Sequence, residues 1–150
     1  MRVFLDSSIL IEYVKGNETA VLEAIVSSNS NLDPCINHIV YSEFLFHFLA
    51  QVAHKSPLTL KKSSDIKTIL TQYDPIEFIR SFAVVEMNHS ILELSYDMMK
   101  KYNLLPNDAL ILASCKCHEI SCLATYDSDF DDICQHEGIA LINRPEDIKK

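Results

Sequence analysis

The sequence predicts an α/β protein, with a parallel sheet of about five strands covered by helices on both faces. Short apolar runs of strand length recur along the chain as "VFL", "PCINHIV", "FAVVEM", "CLATY" and "IALIN". Unbroken apolar runs of this kind mark strands buried on both faces. Segments of helical periodicity separate them, and strands alternating with helices imply parallel pairing. The 150 residues suffice for one domain with a sizeable core.

Residues 3 to 5 form the first strand, which breaks at Asp6-Ser7-Ser8. "ILIEYVK" then reads as a helix stopped by Gly16, placed as a C-terminal cap. A second helix starts near Glu18, carries Val21, Leu22, Ile25 and Val26 on one face, and dissolves into "SSNSN". "PCINHIV", residues 34 to 40, is the second strand. Tyr41, Phe44, Leu45, Phe48, Leu49 and Val52 then follow the spacing of an amphipathic helix. Residues 54 to 74 read as an insertion or helical arm, polar and loop-like apart from one helix near 66 to 73.

"FAVVEM", residues 82 to 87, is the third strand. A helix from about His89 to Tyr102 follows, with Ile91, Leu94, Met98 and Tyr102 on one side. "PNDALILASCKCHE" is a helix apolar almost all round in its first half, hence deeply buried. "CLATY" is the fourth strand, residues 128 to 137 a short helix ending at Gly138, and "IALIN" the fifth strand. There is no internal repeat.

Composition narrows the function. With 48% hydrophobic and 23% charged residues the chain is globular. It lacks an apolar run long enough to span a membrane, and "MRVFLDSS" meets an aspartate too early for a signal peptide. A cytoplasmic protein is expected. Five cysteines show no disulfide or zinc layout, and Cys115 and Cys117 diverge on one helix, so buried thiols are expected. A net charge of −8 opposes bulk coating of nucleic acid. Two glycines, Gly16 and Gly138, cannot build a dinucleotide fingerprint or a P-loop.

The acids are the informative residues. In a parallel sheet, sites form beyond the carboxyl ends of the strands. Asp6 directly follows "VFL" and Asp127 directly follows "CLATY". Glu43 is placed in the first turn of the helix after the second strand, and Asp108 in the first turn of the buried helix opening at Pro106. Each alone has a structural explanation as a helix cap or as a partner of the helix dipole. Four on one rim do not. Asp108 precedes Ala109, Leu110, Ile111, Leu112 and Ala113, so its ionisation is costly, and clustered carboxylates repel unless a cation intervenes. Oxygen ligands suit Mg²⁺ or Mn²⁺.

"TYDSDFDD", residues 125 to 132, matches the first three acidic positions of a calcium loop with Asp127, Asp129 and Asp131. Asp132 stands where that loop needs glycine, and Gly138 where it needs glutamate, so the match fails. Asp131 and Asp132 read as first-turn helix acids, with Ser128 and Asp131 as a capping-box-like pair. Asp127 remains a site member and Asp129 a supporting ligand.

"FLDSSILI", "YSEFLF", "LPNDALILAS" and "LATYDSDF", in that order, resemble the PIN-domain nucleases over essentially the whole chain. The size resembles that of VapC-type toxins of toxin–antitoxin pairs. The resemblance implies a three-layer α/β/α fold and an Mg²⁺- or Mn²⁺-dependent endoribonuclease that leaves a 5′-phosphate and a 3′-hydroxyl. Asp6, Glu43, Asp108 and Asp127 would be the acidic quartet, and Ser7, Ser8 and Thr125 the hydroxyls that orient acids or water. Asp6 and Asp108 are expected as principal ligands of one or two ions, which would polarise the scissile phosphate.

Lys55, Lys61, Lys62 and Lys67 are candidates for RNA backbone contact, weighed equally against a solvated loop face. His38, His47 and His89 are more simply packed or exposed than catalytic. A haloacid-dehalogenase-type phosphotransferase would need an aspartate at Ser8, and a receiver domain a second acid at Ser7. The rival from another class is a non-catalytic PIN-like RNA- or protein-binding module. An antitoxin partner and a homodimer are expected for a toxin, with Ile11, Tyr13 and Val14 belonging either to the antitoxin groove or to the core.

Overall fold

The computed structural model describes residues 1–27 and 30–148. Five strands, β1 (Arg2–Leu5), β2 (Asp33–Ile36), β3 (Ala83–Val84), β4 (Cys122–Ala124) and β5 (Ala140–Ile142), form one sheet in the order β3-β2-β1-β4-β5. Every pairing is parallel, with Phe4 opposite both Cys35 and Leu123. The strand order reverses direction between β1 and β4. Right-handed crossovers running in opposite directions lie on opposite faces, so this order yields the three-layer α/β/α arrangement. The reversal also opens a crevice beyond the carboxyl ends of β1 and β4.

The helices are α1 (Ser7–Lys15), α2 (Ala20–Val26), α3 (His38–Ala53), α4 (Pro57–Ser63), α5 (Ile66–Tyr73), α6 (Ile76–Ile79), α7 (His89–Tyr102), α8 (Pro106–Cys117) and α9 (Asp131–Glu137). Gly16 and Gly138 end α1 and α9 at φ 71° and 70°, a left-handed conformation that costs glycine least. Val3, Phe4 and Leu5 are completely buried, as an unbroken apolar strand demands. Among the described residues, no helix is long and apolar enough to cross a membrane.

Several elements differ from expectation. The second strand ends at Ile36 because Asn37 turns the chain: its side-chain oxygen accepts from the N–H groups of Ile39 and Val40, and α3 begins at His38. "FAVVEM" contributes only Ala83 and Val84, an exposed edge pair, before Asn88 caps α7. "CLATY" is strand only to Ala124. The helix near 66 to 73 is present as α5, but α4 precedes it. Ser56 caps α4, accepting from the Thr59 N–H at 3.2 Å, and Pro57 starts it. Buried Leu60 and Ile69 pin α4 and α5, and both helices pack on α3. Val26 is exposed rather than on the buried face of α2. Of "SSNSN", residues 28 and 29 lie outside the described residues.

Ile11, Tyr13 and Val14 pack against the core, and the Tyr13 ring stacks on Phe78 at 5.6 Å. Cys35, Cys115, Cys122 and Cys134 are buried, and Cys117 is exposed.

Candidate active site

Asp6 leaves β1 at the crevice, where its N–H donates to the Ala124 carbonyl at 2.9 Å. The residue is only 5% exposed. The Ser8 N–H, the Ser8 hydroxyl and the Thr125 hydroxyl donate to Oδ2 at 3.3, 2.5 and 2.9 Å. Both hydroxyl hydrogens are therefore committed to Asp6. The hydroxyl oxygens in turn accept backbone N–H groups, Ser8 from Tyr126 at 3.1 Å and Thr125 from Asp127 at 3.0 Å. The 3.4 Å approach between the two hydroxyls has no hydrogen left to share. Burial raises the Asp6 carboxyl above its ordinary value, and the hydrogen bonds from Ser8 and Thr125 oppose that rise. Ser7 does not use its hydroxyl in a hydrogen bond to the described residues.

This network ties the turn after β1 to the turn after β4. Asp127 hangs from it and caps the 3₁₀ turn Ser128–Phe130, its Oδ1 accepting the Asp129 N–H at 2.9 Å. Asp127 therefore replaces the expected Ser128–Asp131 capping pair. Asp131 and Asp132 occupy the first turn of α9, as read from the sequence.

Asp108 stands in the first turn of α8, half-buried. Its carboxyl is pushed up from 3.8 to about 6, first by burial and then by the charges of Asp127, Asp6, Glu43 and Asp129. All five predicted acids thus lie within electrostatic reach of one point. Glu43 is in the second turn of α3, one turn later than expected, because the helix starts at His38. Its Oε1 accepts from Asn107 Nδ2 at 2.7 Å. Asn107 holds Glu43 at this rim, and Asn37 and Ser114 form a buried hydrogen bond outside it; none of the three was singled out by sequence reasoning. Asn37 carried a legible signal, an Asn at the start of an apolar periodic run.

A cleft of about 530 Å³ runs alongside, lined by Ser8, Glu12, Glu18, Tyr126, Asp127 and Asn143. The donor set of the rim is all oxygen and suits a hard divalent cation. Among the described residues, no group of three or more His, Cys, Asp and Glu side chains stands ready as an ion's shell. Carboxylates that repel one another have no reason to converge further without a cation. Lys55 after α3, Lys61 and Lys62 on α4, and Lys67 on α5 are exposed, and no acid among the described residues pairs with them. His38 and His47 are exposed, and His89 is exposed 3.4 Å from Glu93.

A family model described as PIN domain matches residues 3–136. The chain is 34% identical over 131 residues to Ribonuclease VapC2 of Methanocaldococcus jannaschii, covering 86% of this chain and 87% of that protein. It is 33% identical over 144 residues to Ribonuclease VapC6 of the same organism, covering 87% and 92%. Among solved structures it resembles a toxin-antitoxin complex from Klebsiella pneumoniae, with TM-score 0.59, 22% identity and 95% and 97% coverage. It also resembles VapBC2 from Rickettsia felis bound to a DNA fragment from their promoter, with TM-score 0.60, 16% identity and 95% and 98% coverage. At such identities the structural likeness speaks to fold alone.

Proposed function

The chain belongs to the PIN-domain family, and on that premise we propose that it is a metal-dependent endoribonuclease, the toxin of a toxin–antitoxin pair. One observation carries this reading. Carboxylates from four separate segments gather at the sheet's switch point, where Asp108 is held up to about 6. Asp6 and Asp127 also cap local turns, but bringing the acids together is itself unfavourable, since each added acid makes the others harder to ionise. The ribonuclease names of the two Methanocaldococcus jannaschii relatives support the same activity.

Asp6 and Asp108 would hold Mg²⁺ or Mn²⁺ principally, with Glu43 and Asp127 completing a second ion's shell or holding the attacking water, and Asp129 in support. Mg²⁺ keeps several waters and takes only one or two protein carboxylates, so three preassembled ligands are not required. The bound ion supplies positive charge for the scissile phosphate and makes water easier to deprotonate. The chain's own residues prepare for that. Ser8 and Thr125 direct both hydroxyl hydrogens at Asp6, which favours its anion despite burial. Glu43 and Asp127, each with one oxygen engaged, by Asn107 and by the Asp129 N–H respectively, would use the other to orient the attacking water. Without an ion the rim repels an RNA phosphate.

The antitoxin would be a protein that presents a cationic side chain to the acidic cleft beside Asp127, where Glu12 and Glu18 add to the negative lining. The similar solved structures, a toxin-antitoxin complex and VapBC2, support such a partner. The whole chain would act as one nuclease domain, as a homodimer in the cytoplasm. The deciding experiment is cleavage of RNA with Mg²⁺ or Mn²⁺ by the wild type and by Asp6→Asn. Metal-dependent cutting by the wild type alone is expected. Absence of cutting by either, with metal still bound, would favour the non-catalytic module.

A further inference from the structure

Asn37 and Ser114 are fully buried polar residues outside the acidic rim. Asn37 Nδ2 donates to Ser114 Oγ at 3.0 Å, and the Ser114 hydroxyl donates to the Leu110 carbonyl at 2.7 Å. The amide is held one way round, because its Oδ1 accepts the N–H groups of Ile39 and Val40 at 3.0 Å each. A helix cap needs only an acceptor, which Ser, Thr or Asp would supply. The donor half of Asn37 is directed at Ser114. The bond joins α3, which carries Glu43, to α8, which carries Asp108.

We propose that Asn37 and Ser114 are positioning residues whose hydrogen bond sets the axial register of α3 on α8, and so holds Glu43 beside Asp108. This rests on the nuclease reading above. A second tie joins the same helices at the rim, from Asn107 Nδ2 to Glu43 Oε1. Residue numbers climb from 37 to 43 on α3 while they fall from 114 to 107 on α8, so the helices pass antiparallel here. Glu43 lies six residues after Asn37 and Asp108 six residues before Ser114, roughly 9 Å along each axis. The buried bond and the rim are thus two rungs of one ladder. A slip of one residue would move an acid by about 1.5 Å, beyond the roughly 0.5 Å that a preorganised site tolerates.

The test compares Ser114→Ala, Asn37→Ser and their double variant in the full chain, well below their unfolding temperatures. Asn37→Ser keeps the cap but is too short to reach Ser114, so it serves if Ser114→Ala fails to fold. Each single variant is expected to weaken Mn²⁺ binding about tenfold by calorimetry and to lower kcat with KM for RNA unchanged. The double variant should be no worse than the poorer single. Metal-free crystal structures of Ser114→Ala should lack the Glu43–Asn107 contact. Cys134→Ala, a buried change on α9, supplies a loss of Tm with unaltered Mn²⁺ affinity. If Ser114→Ala behaves like Cys134→Ala, losing Tm but keeping Mn²⁺ affinity, kcat and the Glu43–Asn107 contact, the pair is structural and the proposal falls. A wild type that neither binds Mn²⁺ nor cuts RNA overturns the nuclease reading first, and this inference with it.

Discussion

Glu137, at the end of α9, and Asp108, at the start of α8, are both acids on helices beside the sheet, yet their surroundings differ in kind. Glu137 Oε1 accepts from Lys101 Nζ at 2.9 Å and from the Tyr102 hydroxyl, and Lys116 Nζ lies 3.2 Å from Oε2. These partners, Tyr102 and Lys101 foremost, hold its carboxyl down at about 2. Asp108 meets only other acids among the charges that act on it, and sits at about 6. The chain can neutralise a carboxylate when structure alone is at stake. Leaving five acids at the crevice without a cationic partner among the described residues is therefore informative, because a cation from outside would make that arrangement favourable.

The largest expected effect breaks the acidic side of the comparison. Asp6→Asn or Asp108→Asn should reduce metal-dependent RNA cleavage by at least about a hundredfold, since even outer-shell changes around a metal cost about 10–100-fold. Gel analysis of a defined RNA measures it. Cleavage that survives either change would remove the quartet from the mechanism. Protons and the metal compete for Asp108, so the apparent Mn²⁺ affinity of the wild type should fall as pH drops through about 6.

The next two predictions concern stability and run in opposite directions. Glu137 binds its proton less tightly in the fold than in the unfolded chain, so its contribution is present above 4.5 and lost as pH falls through about 2. Glu137→Gln should lower stability at neutral pH by about 1–2 kcal/mol, after discounting for solvent screening, and leave RNA cleavage unchanged. Asp108 binds its proton more tightly in the fold, so the metal-free protein loses stability as pH rises from 3.8 through about 6. Asp108→Asn should therefore raise the stability of the metal-free protein at pH 7.5 by about 1 kcal/mol, again after that discount. The gain should fade at acid pH. Urea melts at two pH values check both, and Asp108→Asn that destabilises at pH 7.5 would contradict the uncompensated-charge account.

The two regions were not equally legible in the sequence. Asp6 after an unbroken apolar run and Asp108 beside Pro106 can be placed on the rim because local patterns, strand end and helix start, put them there. Gly16 and Gly138 were readable for the same reason. The β2–α3 boundary was not, because His38, Ile39 and Val40 continue an apolar run and only the Asn37 side chain turns the chain. That shift moved Glu43 by a turn without removing it from the rim. The α4 helix was missed because its Ser56-Pro57 start lies in a polar stretch. The pairs Asn37–Ser114 and Asn107–Glu43 span 77 and 64 residues, and a single hydrogen bond across such a gap leaves no periodic trace. Ser7, Ser8 and Thr125 were legible as hydroxyls near the rim, but the commitment of Ser8 and Thr125 to one oxygen of Asp6 is a matter of geometry alone.

The smallest expected effect sharpens the comparison through its cations. Lys101 and Lys116 are tied to Glu137, whereas Lys61 and Lys62 on α4 and Lys67 on α5 face solvent without an acidic partner among the described residues. A lysine already paired has little to offer a phosphate; one left solvated can release counterions when RNA arrives. Lys61→Ala and Lys62→Ala should each raise KM for single-stranded RNA by about two- to threefold at unchanged kcat, and reduce the salt dependence of binding by about 0.7 per lysine. Lys100→Ala, which removes a cation 2.7 Å from Asp97, should change neither. Filter binding across a salt series distinguishes the cases. If the α4 lysines behave like Lys100, the helical arm is a solvated face, and the grip on RNA must come from the ion-loaded rim itself.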